Sequence, residues 1–141
     1  MRSKAPLALM EQVVMVLVFA LATALCLQVF VFSNQVSKRN AAIDHAVLEA
    51  QNAAETIKAA GDIAILMDTM DAKVEDQALL VVHYDQDWNL TSSNEGVYRL
   101  LAQNCSDRSG LGKAQITVDD GTGQDILFSL TVAWQEVSGN G

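Results

Sequence analysis

The chain has 141 residues, is 50% hydrophobic and carries a formal charge of −8, figures that agree only if its apolar residues are unevenly placed. Residues 1–32 hold 24 apolar positions and net charge +1, whereas the other 109 are about 43% apolar, ordinary for a soluble domain, and carry net −9. An acidic domain without basic clusters excludes nucleic acid as a partner, 109 residues suffice for one small core, and two cysteines make neither a disulfide framework nor a metal knuckle.

Arg2 and Lys4 are the basic residues of the short N-terminal flank. From Val13 to Phe32, twenty residues include only Thr23 and Gln28 as polar positions, with no charge and no proline. At about 1.5 Å per residue this run spans roughly the 30 Å hydrocarbon core of a bilayer. A cleaved secretory signal has a shorter apolar core and a small-x-small site, which residues 31–35 do not supply. The expectation is a single membrane-spanning helix over 7–32, with a cytoplasmic N-terminus and the acidic domain outside. Arg2 and Lys4 favour that orientation, and Lys38 and Arg39 on the other flank oppose it.

Glu11 adjoins this run, preceded by Leu7-Ala8-Leu9-Met10. In a helix starting near Leu7 it lies in the second turn, where an unpaired carboxylate costs about 2.5 kcal/mol or more at mid-membrane. Either Glu11 marks the interface and the helix starts at Val13, or it pairs with a positive group on a neighbouring subunit. The second reading is preferred, because ionisable groups in membrane segments are functional by default.

Leu7-Ala8-Leu9-Met10-Glu11 followed by a long apolar helix resembles the start of type IV pilins and type II secretion pseudopilins. In that family a prepilin peptidase removes a short basic leader, and the fifth mature residue is Glu. The resemblance makes Leu7 the first mature residue, Pro6–Leu7 the processing junction and Glu11 the assembly residue. The family places Gly, sometimes Ala, before the cut, where this chain has Pro6. The resemblance implies other pilin or pseudopilin subunits as partners, together with the peptidase and assembly machinery.

Residues 33–60 contain no helix breaker, and Val36, Ile43, Val47, Ala50, Ala54 and Ile57 form a narrow helical stripe. The membrane helix is therefore expected to continue to residue 60, its alanine-rich seam allowing a sheet to approach closely. A coiled-coil dimer is the alternative, though the seam lasts little more than two heptads. Gly61 reads as a C-cap and Asp62 as the N-cap of a second helix carrying Ile63, Leu66, Met67, Met70 and Val74. From Ala78 the period becomes two. Strands are expected at Ala78–Tyr84, Trp88–Ser92 and Gly96–Cys105. A loop follows at Arg108–Gly112, and Lys113–Val118 pairs with Asp125–Val137 across a hairpin turn. In the last strand Ile126, Phe128, Leu130, Val132 and Trp134 alternate onto one face, which the helix seam is available to cover. The fold class is thus α+β: a long N-terminal helix packed on an antiparallel sheet meander, with residues 61–141 as the globular part. That layout also resembles the pilin architecture.

No catalytic constellation emerges. His45 and His83 have no nearby nucleophile and read as structural or solvated. Cys26 and Cys105 are too far apart in the layout to pair. Asp119, Asp120 and Asp125, like Asp85 and Asp87, carry oxygen ligands of the kind calcium takes, but without an EF-hand spacing, and a hairpin turn is the preferred reading. Trp88 has no mechanism attached. The sequence therefore points to a structural subunit without cofactor, metal or enzymatic activity. The alternative is an uncleaved, membrane-anchored binding protein.

Overall fold

The computed structural model describes residues 4–76, 79–106 and 110–135. Helix α1 runs Ala5–Ala60, with Pro6 in its first turn, where the missing N–H costs no helical hydrogen bond. Two units are distinguished, residues 1–40 and 41–141. Within the first, every described residue is exposed, and this half of α1 is long and apolar enough to cross a membrane.

The second unit is a layered α+β domain. Five antiparallel strands follow one another in the sheet in sequence order: β1 Lys73–Asp76, β2 Leu79–Tyr84, β3 Tyr98–Asn104, β4 Leu111–Asp119 and β5 Ile126–Gln135. The domain half of α1 covers one face. Ala46, Ala50, Ala53, Ala54 and Ile57 are buried with Leu80, Val82, Tyr84, Leu100, Ala102, Ile116, Val118, Val132 and Trp134 in one core. Four alanines in the seam bring the helix backbone close to the sheet, so the larger strand side chains fill the space between the layers. Of the expected stripe, Ala50, Ala54 and Ile57 are buried, Ile43 and Val47 are half-buried and Val36 is exposed. Ala46 and Ala53 complete the seam; alanine has too little hydropathy to mark itself as core.

Gly61 ends the helix as expected, at φ 72° with its N–H donated to the Ile57 carbonyl. Several expectations need correction. The second helix, α2, covers only Ile65–Thr69, and Ala64 rather than Asp62 stands at its N-cap. Asp62 instead accepts the Ala64 N–H within the preceding turn. Val74 belongs to β1, because Asp71 at φ 51° breaks the helical path that the i+11 spacing implied. Trp88–Ser92 is not a strand: it is a turn with one isolated bridge, Tyr84 to Leu90. Leu111 and Gly112, expected in a loop, open β4, while Ala78, Arg108, Ser109 and Val137 lie outside the described residues.

The β4–β5 hairpin pairs from Leu111↔Gln135 to Val118↔Phe128, then shifts so that Asp119 opposes Ile126. That bulge inserts Leu127 as the extra residue. Leu127 packs against the core and Ile126 is 60% exposed, so the expected five-residue apolar face keeps four members. Gly112 lies opposite Trp134, whose indole occupies the place a Cβ would take.

Candidate functional site

Glu11 lies on the membrane-length half of α1 and is exposed, as are Leu7, Leu9 and Met10 around it. Leu7 and Glu11 stand four residues apart and share a helix face. With 1.5 Å rise per residue, Glu11 sits about 6 Å along the axis from Leu7 and about 32 Å from Phe32. The segment between is densely apolar: Phe19 is 76% exposed, and Val13–Val18, Leu21, Leu25 and Phe30 are exposed beside it. Thr23, one of the two polar residues in 13–32, returns its hydroxyl to the Phe19 carbonyl at 2.8 Å, which removes a free donor from the surface. What remains is one carboxylate at the end of an apolar cylinder. A contiguous exposed apolar surface of this size marks a membrane or protein contact.

A second cluster lies in the domain and was not foreseen as a unit. Trp88 leaves the β2–β3 turn at φ 64°, an unusual backbone for a bulky residue. It stacks on Tyr98 at 4.3 Å between ring centroids and on His45 of α1 at 5.6 Å, with Tyr84 tilted against it at 5.7 Å. The turn is tied by Asp85, whose Oδ1 accepts the Asp87 and Asn89 N–H groups, each at 2.9 Å. Those donors, that of Asn89 foremost, hold its carboxyl below the usual range. Beneath the stack, the Tyr84 hydroxyl donates to Glu49 Oε2 at 3.2 Å. Burial, and then the Glu49 charge, push the Tyr84 phenol well above its ordinary value. Both faces of the indole are occupied, so the cluster fastens α1 to the sheet and presents no open platform for a ligand.

The aspartates near the hairpin are engaged in its turn. Asp119 is buried, pairs with Arg99 through two bonds of 3.1 and 3.0 Å and accepts the Gly121 N–H at 2.8 Å. The paired carboxylate holds the Arg99 guanidinium above its ordinary value. Asp120 accepts the Thr122 hydroxyl and N–H, and its carboxyl is lowered chiefly by that hydroxyl. Among the described residues no group of three or more His, Cys, Asp or Glu side chains is arranged to hold a metal ion. His83 lies in β2, half-buried, and Cys26 and Cys105 are exposed free thiols. No protein family, curated protein or solved structure matches this chain.

Proposed function

We propose that this chain is a pilin-like or pseudopilin-like structural subunit of a bacterial type IV pilus, competence or type II secretion filament. It is held in the membrane by residues 7–32 before assembly, with the N-terminus cytoplasmic and the domain outside. The observation that carries the reading is Glu11: a single carboxylate at the head of an exposed apolar helix whose other half is spent on its own domain. In hydrocarbon an isolated carboxylate is unfavourable, and a positive partner offsets that cost. Removal of residues 1–6 would expose an amine at Leu7. A neighbour's amine meets Glu11 when the two helices are staggered by about 6 Å, give or take the reach of the side chain. The pairing therefore both neutralises the charge and sets axial register as helices bundle.

Pro6 favours a second reading, in which the leader stays and the chain is a single-pass anchor for an extracytoplasmic binding domain. N-terminal sequencing and intact mass of the membrane-extracted protein separate the two. A mature chain beginning at Leu7 is expected; a chain retaining Met1 at full mass refutes pilin-type maturation. Glu11→Ala is then expected to abolish incorporation into filaments while the protein remains in the membrane. Unchanged incorporation would refute the register role.

A further inference from the structure

One of the two polar side chains in the apolar run is left without a partner. Thr23 satisfies its hydroxyl on the Phe19 carbonyl. Gln28, exposed on α1, makes no side-chain hydrogen bond among the described residues, although its carboxamide carries two N–H donors and a carbonyl acceptor. It lies four residues before Phe32, about 6 Å inside the C-terminal end of the run. Helical Cα–Cβ bonds tilt toward the N-terminus, so the Gln28 side chain leans toward the middle of the run and away from the nearer interface. Hydrocarbon offers such a group nothing to bond. A second amide shares its surroundings: Leu27, Gln28, Val31, Phe32 and Gln35 line one shallow groove on the helix. Gln28 and Gln35 are seven residues apart, hence on one side of α1 and about 10 Å apart along its axis.

We propose that two copies of this chain pair in the membrane through parallel, in-register α1 helices, joined by a Gln28-to-Gln28 amide contact. The partner must bring a donor and an acceptor to one depth, and a second amide one heptad further on. Copies inserted by the same topological signals run parallel and meet both demands by identity. A carboxamide is also its own complement, the N–H of one bonding the C=O of the other. An antiparallel copy centred on the run would set Gln28 against Leu17 and leave both amides unpaired. The seam through Gln28 is otherwise apolar: Val14 and Leu21 share its heptad position, and Leu17, Ala24 and Val31 hold the other core position. Ala24, one turn before Gln28, lets the two backbones approach. A single polar residue in such a seam fixes register and the number of strands. Glu11 falls to one side of the seam, so the two carboxylates do not oppose each other. The pairing rests on the membrane-spanning reading of residues 7–32, which both functional readings above share, and not on cleavage. It belongs to the membrane-held chain, because a filament stagger of about 6 Å carries the Gln28 residues out of register.

The test uses the full chain in phosphatidylcholine vesicles, with copper phenanthroline as the oxidant. In one chain Cys26 and Cys105 are replaced by serine and Val31→Cys is introduced; in the other only Cys105 is replaced, leaving the native Cys26. Cys26 lies two residues before Gln28, about 160° around the helix from it. The thiol at 31 is expected to form a linked dimer about tenfold faster than Cys26, since only the seam brings paired Cα atoms within the roughly 7 Å that a disulfide spans. Adding Gln28→Leu, which makes the run more apolar and leaves insertion intact, is expected to cut the linked fraction about fivefold. Gln28→Asn, which keeps an amide, is expected to retain most of it. In a chain that resists alkaline carbonate extraction, equal rates at 31 and 26 overturn the proposal and leave the span standing. A Gln28→Leu chain that links as before does the same. A chain that carbonate strips from the vesicles overturns the membrane-spanning reading and the pairing together.

Discussion

The two halves of α1 share one backbone conformation and solve opposite problems. In residues 5–40 the large apolar side chains point outward on all sides and none is buried. In residues 41–60 the buried residues are four alanines and one isoleucine, and the outward positions include Asp44, Glu55 and Lys58. Hydrophobicity in the first half serves a surface that needs an apolar surrounding. Smallness in the second serves a contact that needs the sheet near. Helical propensity alone does not distinguish the halves; what each side chain meets does.

The largest test of that contrast exchanges the same chemistry between the halves. Ala53→Asp places a carboxylate at a position with 0% exposure, without a partner, and is expected to cost more than about 4 kcal/mol, enough to prevent the domain from folding. Leu17→Asp, in the outward half, is expected to leave the domain's thermal transition in detergent unchanged while costing about 3 kcal/mol of membrane insertion, read from membrane fractionation. Equal effects on the domain would break the comparison.

A smaller effect probes the aromatic fastening. Trp88→Ala removes the stack on His45 and Tyr98 and is expected to lower unfolding free energy by about 2 kcal/mol in denaturant titration. Trp88→Gly should be milder by about 1 kcal/mol, because glycine adopts the φ of 64° without the steric cost a side chain bears. The reverse order would mean that the turn does not hold that backbone in solution.

The smallest effect is a pH dependence. The folded Tyr84 phenol is held above its ordinary value of 10.0, so its contribution is fully present below about pH 10 and is lost as pH rises beyond it. Tyr84→Phe forfeits the bond to Glu49, about 1 kcal/mol near neutrality, and is expected to flatten the alkaline limb of the melting curve. An alkaline limb identical to that of the parent would assign the pH dependence to other groups.

The elements that announce themselves by period were legible: the apolar run, the continuation of α1 to Ala60, the Gly61 stop, β2–β5 and the hairpin between β4 and β5. What escaped was decided by dihedral angles and cross-strand register, to which hydropathy is blind. Val74 fits a helical spacing as well as a strand, and only the backbone at Asp71 assigns it to β1. Trp88 reads as strand because aromatic residues favour strands, yet the Asp85 carboxylate gathers the local N–H groups into a turn. Ile126 alternates correctly in sequence and is displaced by a bulge one residue long. Glu11 was legible as a chemical anomaly, whereas the association of His45, Trp88 and Tyr98 spans more than fifty residues and has no local signature.

The indole of Trp134 lying over Gly112 has a consequence for how this chain can vary over time. Neither position is free on its own: any side chain at 112 collides with the ring, and a smaller residue at 134 opens a void above the glycine. Related sequences should therefore change the two together, an aromatic with glycine or a small apolar residue with alanine or larger. The pair is a covariation that a future set of relatives can reveal without a single structure.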